Sequence, residues 1–396
     1  MIRSIHPFPA RMAPELALEK LGELKSPGLI LDPMAGSGTV LRQATDLGHR
    51  AVGFDMDPLA VLMTRVWTTA VEEKLVDDIA ARVTKRIEAI DPVTAKLSWM
   101  DEDVETSAFV DFWFAEPQKG DLRRIAFVLD ELGRELADPQ EQLALDLLRI
   151  ALSRLIITKD KGASLARDVS HSRPHKVADQ NDFDVRPMFA RSIKAVQKRL
   201  RDAPPMGEAD IGLGDARTLT ALADGSIDAV LTSPPYLNAI DYMRGHRLSL
   251  IWLGHRLGDL RTIRSTSIGS ERAPDQVDEA DILNEMRLAM GELDALPNKF
   301  RSMISRYVQD IHRMIAEIAR VLKVGAHATF VMGNSCLRDV FIRNSAAVST
   351  AAQHAGLSLV SETERPLPMR SRYLPMTSAS LGKRMRTETI LTFARG

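Results

Sequence analysis

The sequence predicts an α/β fold: a mostly parallel sheet interrupted by a mostly helical insertion. Two observations predict it. Short apolar runs that end in a polar turn and lead into a helical pattern occur at 29–47 and again at 51–67, which is typical of strand–helix units. The alternation resumes after residue 206, whereas 68–206 show mainly helical spacing.

The first strand–helix unit contains a glycine-rich turn. A strand over 29–32 leads into Asp32, then into Gly36-x-Gly38, and a helix is expected over 38–47. Glycine lets the backbone approach a ligand closely, and a helix N-terminus presents free N–H groups. The turn is therefore predicted to bind a cofactor, and the alternative is that Asp32 only caps the loop.

The second unit, a strand over 51–55 followed by a helix from Pro58, ends its strand in acidic residues. Asp55 and Asp57 follow the first glycine-rich turn by about twenty residues, where nucleotide-binding α/β folds place the acid that takes the ribose hydroxyls. The third glycine of the dinucleotide pattern is missing, and an acid precedes the turn. This departure favours adenosyl-methionine, whose amino-acid end is cationic and carries no phosphate, over a pyrophosphate cofactor.

The insertion combines helices with an uneven charge distribution. Helices are expected over 72–91, 120–136, 138–158 and 187–201, with a loop over 164–186. Residues 101–150 hold thirteen acids against five Lys and Arg, and 154–201 hold twelve Lys and Arg against five acids, although the whole chain has a net charge of −1. Clustered cations are typical of a surface that contacts phosphates, and the alternative is that the two stretches pair with each other.

The sheet then resumes and closes. Strands are expected over 209–213, 227–232, 328–332, 358–362 and 388–393, helices over 241–257, 281–323 and 337–355, and a loop over 259–280. The strand 227–232 leads into Ser233-Pro-Pro-Tyr236. Two prolines remove two backbone donors and leave carbonyls free to accept, while Ser233 adds a hydroxyl and Tyr236 a ring. Such a turn suits a flat ring with an exocyclic amine, although double proline also occurs in ordinary turns.

With both elements in place, the chain resembles the S-adenosylmethionine-dependent DNA amino-methyltransferases of the Ser-Pro-Pro-Tyr type, which are associated mainly with N4-cytosine methylation. The resemblance covers 1–67 and 207–396. It implies that these ranges form a catalytic domain with a Rossmann-like, seven-stranded class I methyltransferase sheet. It leaves 68–206 as a candidate region for DNA recognition or dimerisation, and the irregular stretch 255–300 is the other candidate reader of sequence.

The resemblance also implies site residues. His6–Pro9 resembles the motif at the methionine end of the cofactor, with a rigid N-terminal arm as the alternative, and Asp215 is expected to meet the adenine amino group unless it is only a turn acid. The implied S-adenosylmethionine-binding residues are His6, Pro7, Phe8, Pro9, Asp32, Pro33, Ala35, Gly36, Ser37, Gly38, Thr39, Asp55, Asp57, Asp215 and Ala216. Asp55 is preferred over Asp57 for the ribose. The implied catalytic residues are Ser233, Pro234, Pro235 and Tyr236.

The chemistry explains why such a turn is needed. The lone pair of an exocyclic cytosine amine is delocalised into the ring, so acceptors on both N–H bonds, the Ser233 hydroxyl and the carbonyl of Ser233 or Pro234, must draw the nitrogen toward tetrahedral geometry. Tyr236 would stack on the flipped base. The lone Cys336 is not placed as a nucleophile, which weighs against C5-cytosine methylation. Serine in the first position of the turn favours cytosine N4 over adenine N6.

Several alternatives stay open at this point. They are an N6-adenine DNA methyltransferase, an RNA base amino-methyltransferase and an inactive S-adenosylmethionine-binding recognition subunit. The expected partner is double-stranded DNA, contacted by Arg167, Arg173, Lys176, Arg244 and Arg247; for the last two, a solvated helix surface is equally compatible with the sequence. A homodimer and a partner restriction nuclease are further candidates. No metal site is expected. The cytoplasm is the expected compartment, because no apolar run suits a signal peptide or a membrane span.

Overall fold

Two compact units make up the chain. The computed structural model describes residues 3–8, 12–158, 161–167, 174–237, 241–269, 280–366 and 387–396. The unit that we call the sheet unit comprises Ala10–Met56, Gly207–Ile240 and Ser265–Gly396. The unit that we call the helical unit comprises Met1–Pro9, Asp57–Met206 and Asp241–Arg264.

The sheet unit is built on one seven-stranded sheet. Its strands are β1 (Leu29–Asp32), β2 (Arg50–Asp55), β5 (Ala209–Leu213), β6 (Ile227–Thr232), β7 (Leu322–Gly333), β10 (Leu357–Pro366) and β11 (Thr387–Arg395). Their spatial order is β10-β11-β7-β6-β1-β2-β5. Neighbours from β5 to β7 run parallel, and β11 lies antiparallel between β7 and β10. The predicted seven-stranded, Rossmann-like sheet is confirmed.

The two faces of this sheet are covered by different helices. The flanking helices are α1 (Pro14–Gly22), α2 (Thr39–Asp46), α12 (Ala280–Ala289), α13 (Asn298–Val321) and α14 (Asn344–His354). Leu31 and Val230 belong to a core that includes side chains of α13 and α14. Ile30 and Leu231, their neighbours along the strands, belong to a second core with side chains of α1 and α2. The central strands are therefore apolar on both faces, which is why they read as continuous apolar runs.

The helical unit packs around a core of its own. Its helices are α3 (Pro58–Thr68), α4 (Glu73–Ala89), α5 (Ser98–Asp101), α6 (Val104–Trp113), α7 (Gln118–Glu135), α8 (Pro139–Ile156), α9 (Val185–Asp202) and α10 (Tyr242–Leu250), and α11 (Leu257–Thr266) begins in it. Two short strands, β3 (Ala166–Arg167) and β4 (His175–Lys176), pair antiparallel. Every α-helix in the described ranges is too short or too polar to cross a membrane.

The predicted domain boundaries differ from this division. The insertion was expected to cover 68–206, but α3 and the segment 241–264 belong to the same unit. The reason is packing: Trp67 and Trp252 are buried in the helical core, and Phe114 meets Trp252 edge-on with ring centroids 5.0 Å apart. Trp99 also donates its indole N–H to the carbonyl of Ile251 at 2.8 Å. A role of this unit in DNA recognition or dimerisation stays a prediction.

Three stretches fold differently from the predicted elements. The helix expected over 281–323 is broken between α12 and α13, where Gly291 has a φ of 121° and Pro297 precedes the second helix. The loop expected over 259–280 begins as helix α11, and 270–279 lie outside the described residues. The helix expected from 337 starts only at Asn344, because β8 (Ser335–Leu337) and β9 (Val340–Ile342) form a hairpin.

Candidate functional site

Polar side chains lie together at the carboxyl ends of three neighbouring strands in the sheet unit, and two of them, Asp32 and Asp55, are predicted cofactor-binding residues. Asp32 ends β1, Asp55 ends β2 and Thr232 ends β6, and β1 lies between β2 and β6. Ligands of open α/β sheets bind beyond the carboxyl ends of the strands, where the strand order reverses. In this sheet β2 and β5 lie on one side of β1, and β6 and β7 lie on the other, so the strand order reverses between β1 and β6.

The glycine-rich turn between β1 and α2 is pinned to the end of β2. Gly36 and Gly38 have φ values of 53° and 81°, in the left-handed region that favours glycine. The Ala35 N–H donates to the carbonyl of Phe54 at 2.9 Å, and the Gly36 N–H donates to Oδ2 of Asp55 at 2.8 Å. These two hydrogen bonds fix the shape of the turn against the end of β2. Pro33, which follows Asp32, is buried within it.

Two hydroxyl groups of this turn are buried without a partner. Ser37 and Thr39 are each 3% exposed, and their hydroxyl oxygens make no hydrogen bond to any residue that the structure describes. Buried hydroxyls are normally hydrogen-bonded, because leaving one unsatisfied costs on the order of 1–3 kcal/mol. Their presence at a helix N-terminus at the carboxyl edge of the sheet indicates groups that a ligand satisfies.

Asp32 is a buried acid at the centre of the site. It is 3% exposed, and its Oδ1 accepts from the Thr232 hydroxyl at 2.7 Å and from the Met34 N–H at 3.2 Å. Burial raises the pKa of Asp32 to about 7; the two hydrogen bonds lower it and the Asp55 charge raises it, both by less than burial does. A cationic group placed beside this carboxyl would favour its ionised form.

The Ser-Pro-Pro-Tyr turn is fixed at its C-terminal end, at Tyr236 and Leu237. The Tyr236 hydroxyl and Oε1 of Glu388 are 3.2 Å apart, and Glu388 on β11 also accepts from Arg365 on β10 at 2.7 Å. The ring lies so close to Gly333, at the end of β7, that a Cβ there would meet a ring carbon at 2.8 Å. The Ser335 hydroxyl donates to the carbonyl of Leu237 at 2.8 Å, which holds the exit of the turn.

The first three residues of the same turn, Ser233–Pro235, have hydrogen-bond acceptors without partners in the described ranges. The Ser233 hydroxyl makes no hydrogen bond within the described ranges, and neither does the carbonyl oxygen of Ser233, Pro234 or Pro235. Side chains of Ser233 and Pro235 are partly exposed. The turn therefore offers one hydroxyl and several carbonyl oxygens to a donor from outside the chain.

The loop after β5 contains an ion-pair network that sequence reasoning missed. Asp215 is held by Arg217, whose Nη2 donates to its Oδ2 at 2.6 Å. Arg217 also donates to Asp310 at 2.6 Å and to the carbonyl of Thr266 at 2.7 Å. Ala216 is buried in the core. The contact of Asp215 with an adenine stays a prediction; the signal for Arg217 was a basic residue two positions after the acid.

The N-terminal candidates lie in the helical unit. The His6 ring contacts the Ser153 hydroxyl at 2.9 Å, and Phe8 stacks on Tyr242 with centroids 5.0 Å apart. Pro7, between them, is exposed, and Pro9 lies outside the described residues. These side chains therefore anchor the N-terminal segment to α8 and α10, and their cofactor role stays a prediction.

The structure separates the roles of the two acids after β2. Asp57 belongs to the helical unit, accepts from the Leu59 N–H at 2.9 Å to cap α3 and pairs with Nδ1 of His246 at 2.5 Å. Burial would raise the pKa of Asp57, but the charge of His246 and these hydrogen bonds outweigh it and lower that pKa. Asp55 belongs to the sheet unit, at the end of β2. Asp55 is thus the acid that lies beside the glycine-rich turn.

The predicted DNA-contacting cations have different surroundings. Arg167 is exposed on β3, and Arg173 lies outside the described residues. Lys176 pairs with Asp179 at 2.8 Å and lies over the ring of Phe112. Other cations of 154–201 pair with acids of α4 and α7: Lys194 with Asp77, Arg201 with Glu73, and Arg186 with Asp121. Of these three pairs, only Arg186 with Asp121 joins the basic stretch to the acidic stretch 101–150, as the pairing alternative expects; Asp77 and Glu73 lie outside that stretch.

The other two predicted DNA-contacting cations, Arg244 and Arg247, lie on α10. Arg244 and Asp241 are 3.5 Å apart, and the Arg247 guanidinium lies 5.0 Å from the centroid of the Phe109 ring. Arg244 is thus charge-paired within its own helix, whereas Arg247 contacts an aromatic face.

Comparison with known proteins gives distant relatives. No family model matches the chain. It is 21% identical to the type II methyltransferase M.MvaI of Kocuria varians over 368 residues, which are 87% of this chain and 79% of that protein. It is 24% identical to the type II methyltransferase M.BsoBI of Geobacillus stearothermophilus over 371 residues, 80% of this chain and 70% of that protein. A solved structure of a SAM-dependent methyltransferase from Methanosarcina mazei covers 98% of this chain and is covered to 99%, with 10% identity and a TM-score of 0.34.

Proposed function

We propose that this chain is an S-adenosylmethionine-dependent DNA methyltransferase that methylates the N4 amine of a flipped cytosine. The observation that carries the proposal is the set of free acceptors at Ser233 and Pro234, on the strand next to the one that leads into the glycine-rich turn. Both sequence relatives, which match most of the chain, are named type II methyltransferases. Serine at the first position of the turn favours cytosine over adenine.

The sheet unit has groups that suit S-adenosylmethionine. The buried Asp32 carboxyl suits its cationic amino group, the unpartnered hydroxyls of Ser37 and Thr39 suit its polar atoms, and Asp55 at the end of β2 suits its ribose hydroxyls. When bound, this cofactor supplies a methyl group on a positively charged sulfur. The glycine-rich turn that would lie beside it is pinned to β2 by two backbone N–H donors.

The Ser-Pro-Pro-Tyr turn would prepare the amine for transfer. The Ser233 hydroxyl and a carbonyl of Ser233 or Pro234 each accept one amine N–H, which draws the nitrogen lone pair out of the ring. Tyr236, held by Glu388 and by the close approach of Gly333, provides a positioned aromatic ring for the base. Holding the two reacting atoms in line supplies much of the rate. The proton that the amine loses leaves along the hydrogen bond to Ser233, whose hydroxyl can accept one proton and release another to water.

The proposal is tested in cells that express the chain. Their DNA is digested to nucleosides and analysed by mass spectrometry for the intact protein, for Ser233→Ala and for the control Ser226→Ala, which removes an exposed hydroxyl that bonds only the nearby carbonyl of Ala223. We expect N4-methylcytosine with the intact protein and with the control, and none with Ser233→Ala. Purified Ser233→Ala should still bind S-adenosylhomocysteine in calorimetry.

Each other result has a definite meaning. N6-methyladenine in place of N4-methylcytosine would retain the mechanism and change the target base. Neither product, with intact cofactor binding, would favour an RNA substrate or a recognition subunit. Unchanged methylation by Ser233→Ala would refute the assignment of the catalytic turn.

A further inference from the structure

Four arginines are crowded together in the helical unit. Arg244 and Arg247 lie on α10, and Arg261 and Arg264 lie on α11. Burial lowers the pKa of Arg247, and the charges of Arg264, Arg244 and Arg261 lower it further, opposed only by Asp241. Arg247 thus occupies a site that is unfavourable for its own charge.

The acids of this cluster are engaged by the other three arginines. Asp241 accepts from Nε of Arg264 at 2.7 Å and also pairs with Arg244. Glu105 on α6 pairs with Arg261. The Arg247 side chain has no ion pair or hydrogen bond to any residue in the described ranges, and its Nε is buried. Among the described residues, the Arg247 side chain therefore meets three repelling arginines, one distant attracting acid and no hydrogen-bond acceptor.

The guanidinium is nevertheless held in place. It lies 5.0 Å from the centroid of the Phe109 ring, a cation–π geometry that fixes the group against one face. The Nε–H of this guanidinium is buried without an acceptor in the described ranges, which is costly unless a ligand supplies one. Its planar fork matches the paired oxygens of a phosphate, and the neighbouring cations would add long-range attraction for a negatively charged ligand.

We propose that Arg247, supported by Arg244, Arg261 and Arg264, binds a backbone phosphate of the DNA substrate. This inference rests on the proposed function and deepens it. The helix that carries Arg247 follows the Ser-Pro-Pro-Tyr turn in the chain, and a polyanion supplies the charge that four clustered arginines require. A phosphate contact positions the duplex and carries no base information itself.

The experiment compares duplex DNA binding by the full chain and two variants. Fluorescence anisotropy is measured between about 50 and 200 mM salt, the range over which phosphate contacts change affinity strongly. Arg247→Gln removes the proposed contact. Arg134→Gln is the matched control: it removes one positive charge from an exposed arginine of α7 in the same unit, where it pairs with Asp130.

We expect Arg247→Gln to reduce the slope of log K against log salt by roughly 0.9, the loss of one phosphate contact, and to weaken binding about tenfold at low salt. Arg134→Gln should change neither. The midpoint of thermal unfolding of Arg247→Gln should stay equal to that of the parent protein or rise, because the substitution removes a repelled and desolvated charge. A purely structural arginine would instead lower that midpoint when removed.

Three results would overturn the inference. They are an unchanged salt slope in Arg247→Gln, an equal slope reduction in Arg134→Gln, and a lower unfolding midpoint with unchanged DNA affinity. In each case DNA binding and methylation by the parent protein would stand, so the proposed function would survive. If the parent protein bound no duplex DNA but methylated RNA, the proposed function would fail and this inference with it.

Discussion

Asp32 shows how one side chain links the fold to the proposed cofactor site. Its burial and its hydrogen bond from Thr232 follow from the pairing of β1 with β6, and burial brings its pKa to about 7. In the unfolded chain the same carboxyl has its ordinary pKa of 3.8. Between about pH 4 and 7 the folded protein therefore holds a proton on Asp32 that the unfolded chain lacks. The stability that the protonated carboxyl contributes is fully present below about pH 4 and is lost as the pH rises through 7.

Cofactor binding should depend on pH through Asp32. A cationic amino group beside the carboxyl favours ionisation, so binding below pH 7 must release a proton. We expect the affinity for S-adenosylhomocysteine to rise roughly tenfold per pH unit below pH 7 and to level off above it. Titration calorimetry from about pH 5.5 to 8.5 measures this. Asp32→Asn should bind more weakly with a flat profile, and an unchanged profile in that variant would show that another group is responsible.

At the level of residues, the sequence was most informative where spacing alone fixes the role. It placed Asp32 and Asp55 at strand ends and Gly36 in the turn after the first strand, because strand-then-turn patterns determine those positions. The family resemblance preferred Asp55 over Asp57, but the local pattern does not contain the pairing of Asp57 with His246, which is far away in the chain. The partner of Asp215 and the isolation of Arg247 also depend on tertiary neighbours that no local pattern contains.

Among the elements, the end of β7 determines the geometry of the Ser-Pro-Pro-Tyr turn. Gly333 leaves room for the Tyr236 ring, while Ser335 and Asn344, at the start of α14, bond to each other at 2.8 Å, and Ser335 also bonds to the turn's exit. The turn is therefore positioned by the strand beside it and by a helix that follows later in the chain. Glu388 adds a contact from β11.

Gly333→Ala should separate folding from activity. The new methyl would lie 2.8 Å from one ring carbon of Tyr236 and 3.1 Å from the next, so the ring must move. Because displacements near 1 Å can cost about a hundredfold in rate, we expect a loss of methylation of that order, with cofactor binding retained. The free energy of unfolding should fall by about 1–3 kcal/mol.

The matched control for that prediction is Gly212→Ala on β5. There an added Cβ meets the Phe54 ring at 3.8 Å, an ordinary contact. Steady-state methylation rates and urea denaturation measure both variants. Equal activity in Gly333→Ala and the parent protein would mean that Tyr236 does not position the base.

The predicted bounds of helices and strands were correct where the apolar pattern is strong, and wrong where a turn interrupts a pattern that continues across it. Strands β1, β5 and β6 match their predicted ranges, because each is a short apolar run ending in a turn. The break between α12 and α13 was missed although Gly291 and Pro297 signal it, since the helical spacing continues across them. The β8–β9 hairpin was missed because Arg338 and Asp339 adopt positive φ values, which their residue types rarely indicate.

Over the whole molecule, the chain passes between its two units five times, at residues 9, 56, 206, 240 and 264. The sequence indicated one contiguous insertion, 68–206, because the helical spacing of that stretch differs from the strand–helix pattern on both sides of it. Segment 241–264 joins the helical unit through Trp252 and through Thr106, whose hydroxyl accepts from the Leu257 N–H at 2.9 Å. Such long-range packing is not visible in local periodicity.

This division predicts which fragments fold. Residues 57–206 expressed alone should bind a hydrophobic dye and unfold without a cooperative transition, because they lack the side chains that cover Phe114. Joining 241–264 to them through a flexible linker should restore a cooperative transition in circular dichroism. The same fusion carrying Trp252→Ala is the control and should not. Cooperative unfolding of 57–206 alone would contradict the observed division of the chain.

The place of β11 in the sheet has a consequence for protein synthesis. β11 follows β7 and β10 in the chain but enters the sheet between them, antiparallel to both. Until it leaves the ribosome, β10 has no neighbour and β7 presents an unpaired edge, the kind of edge that attracts other chains. A nascent chain is therefore exposed to aggregation at this edge, and chaperones that bind open strands should engage it there until β11 has been made.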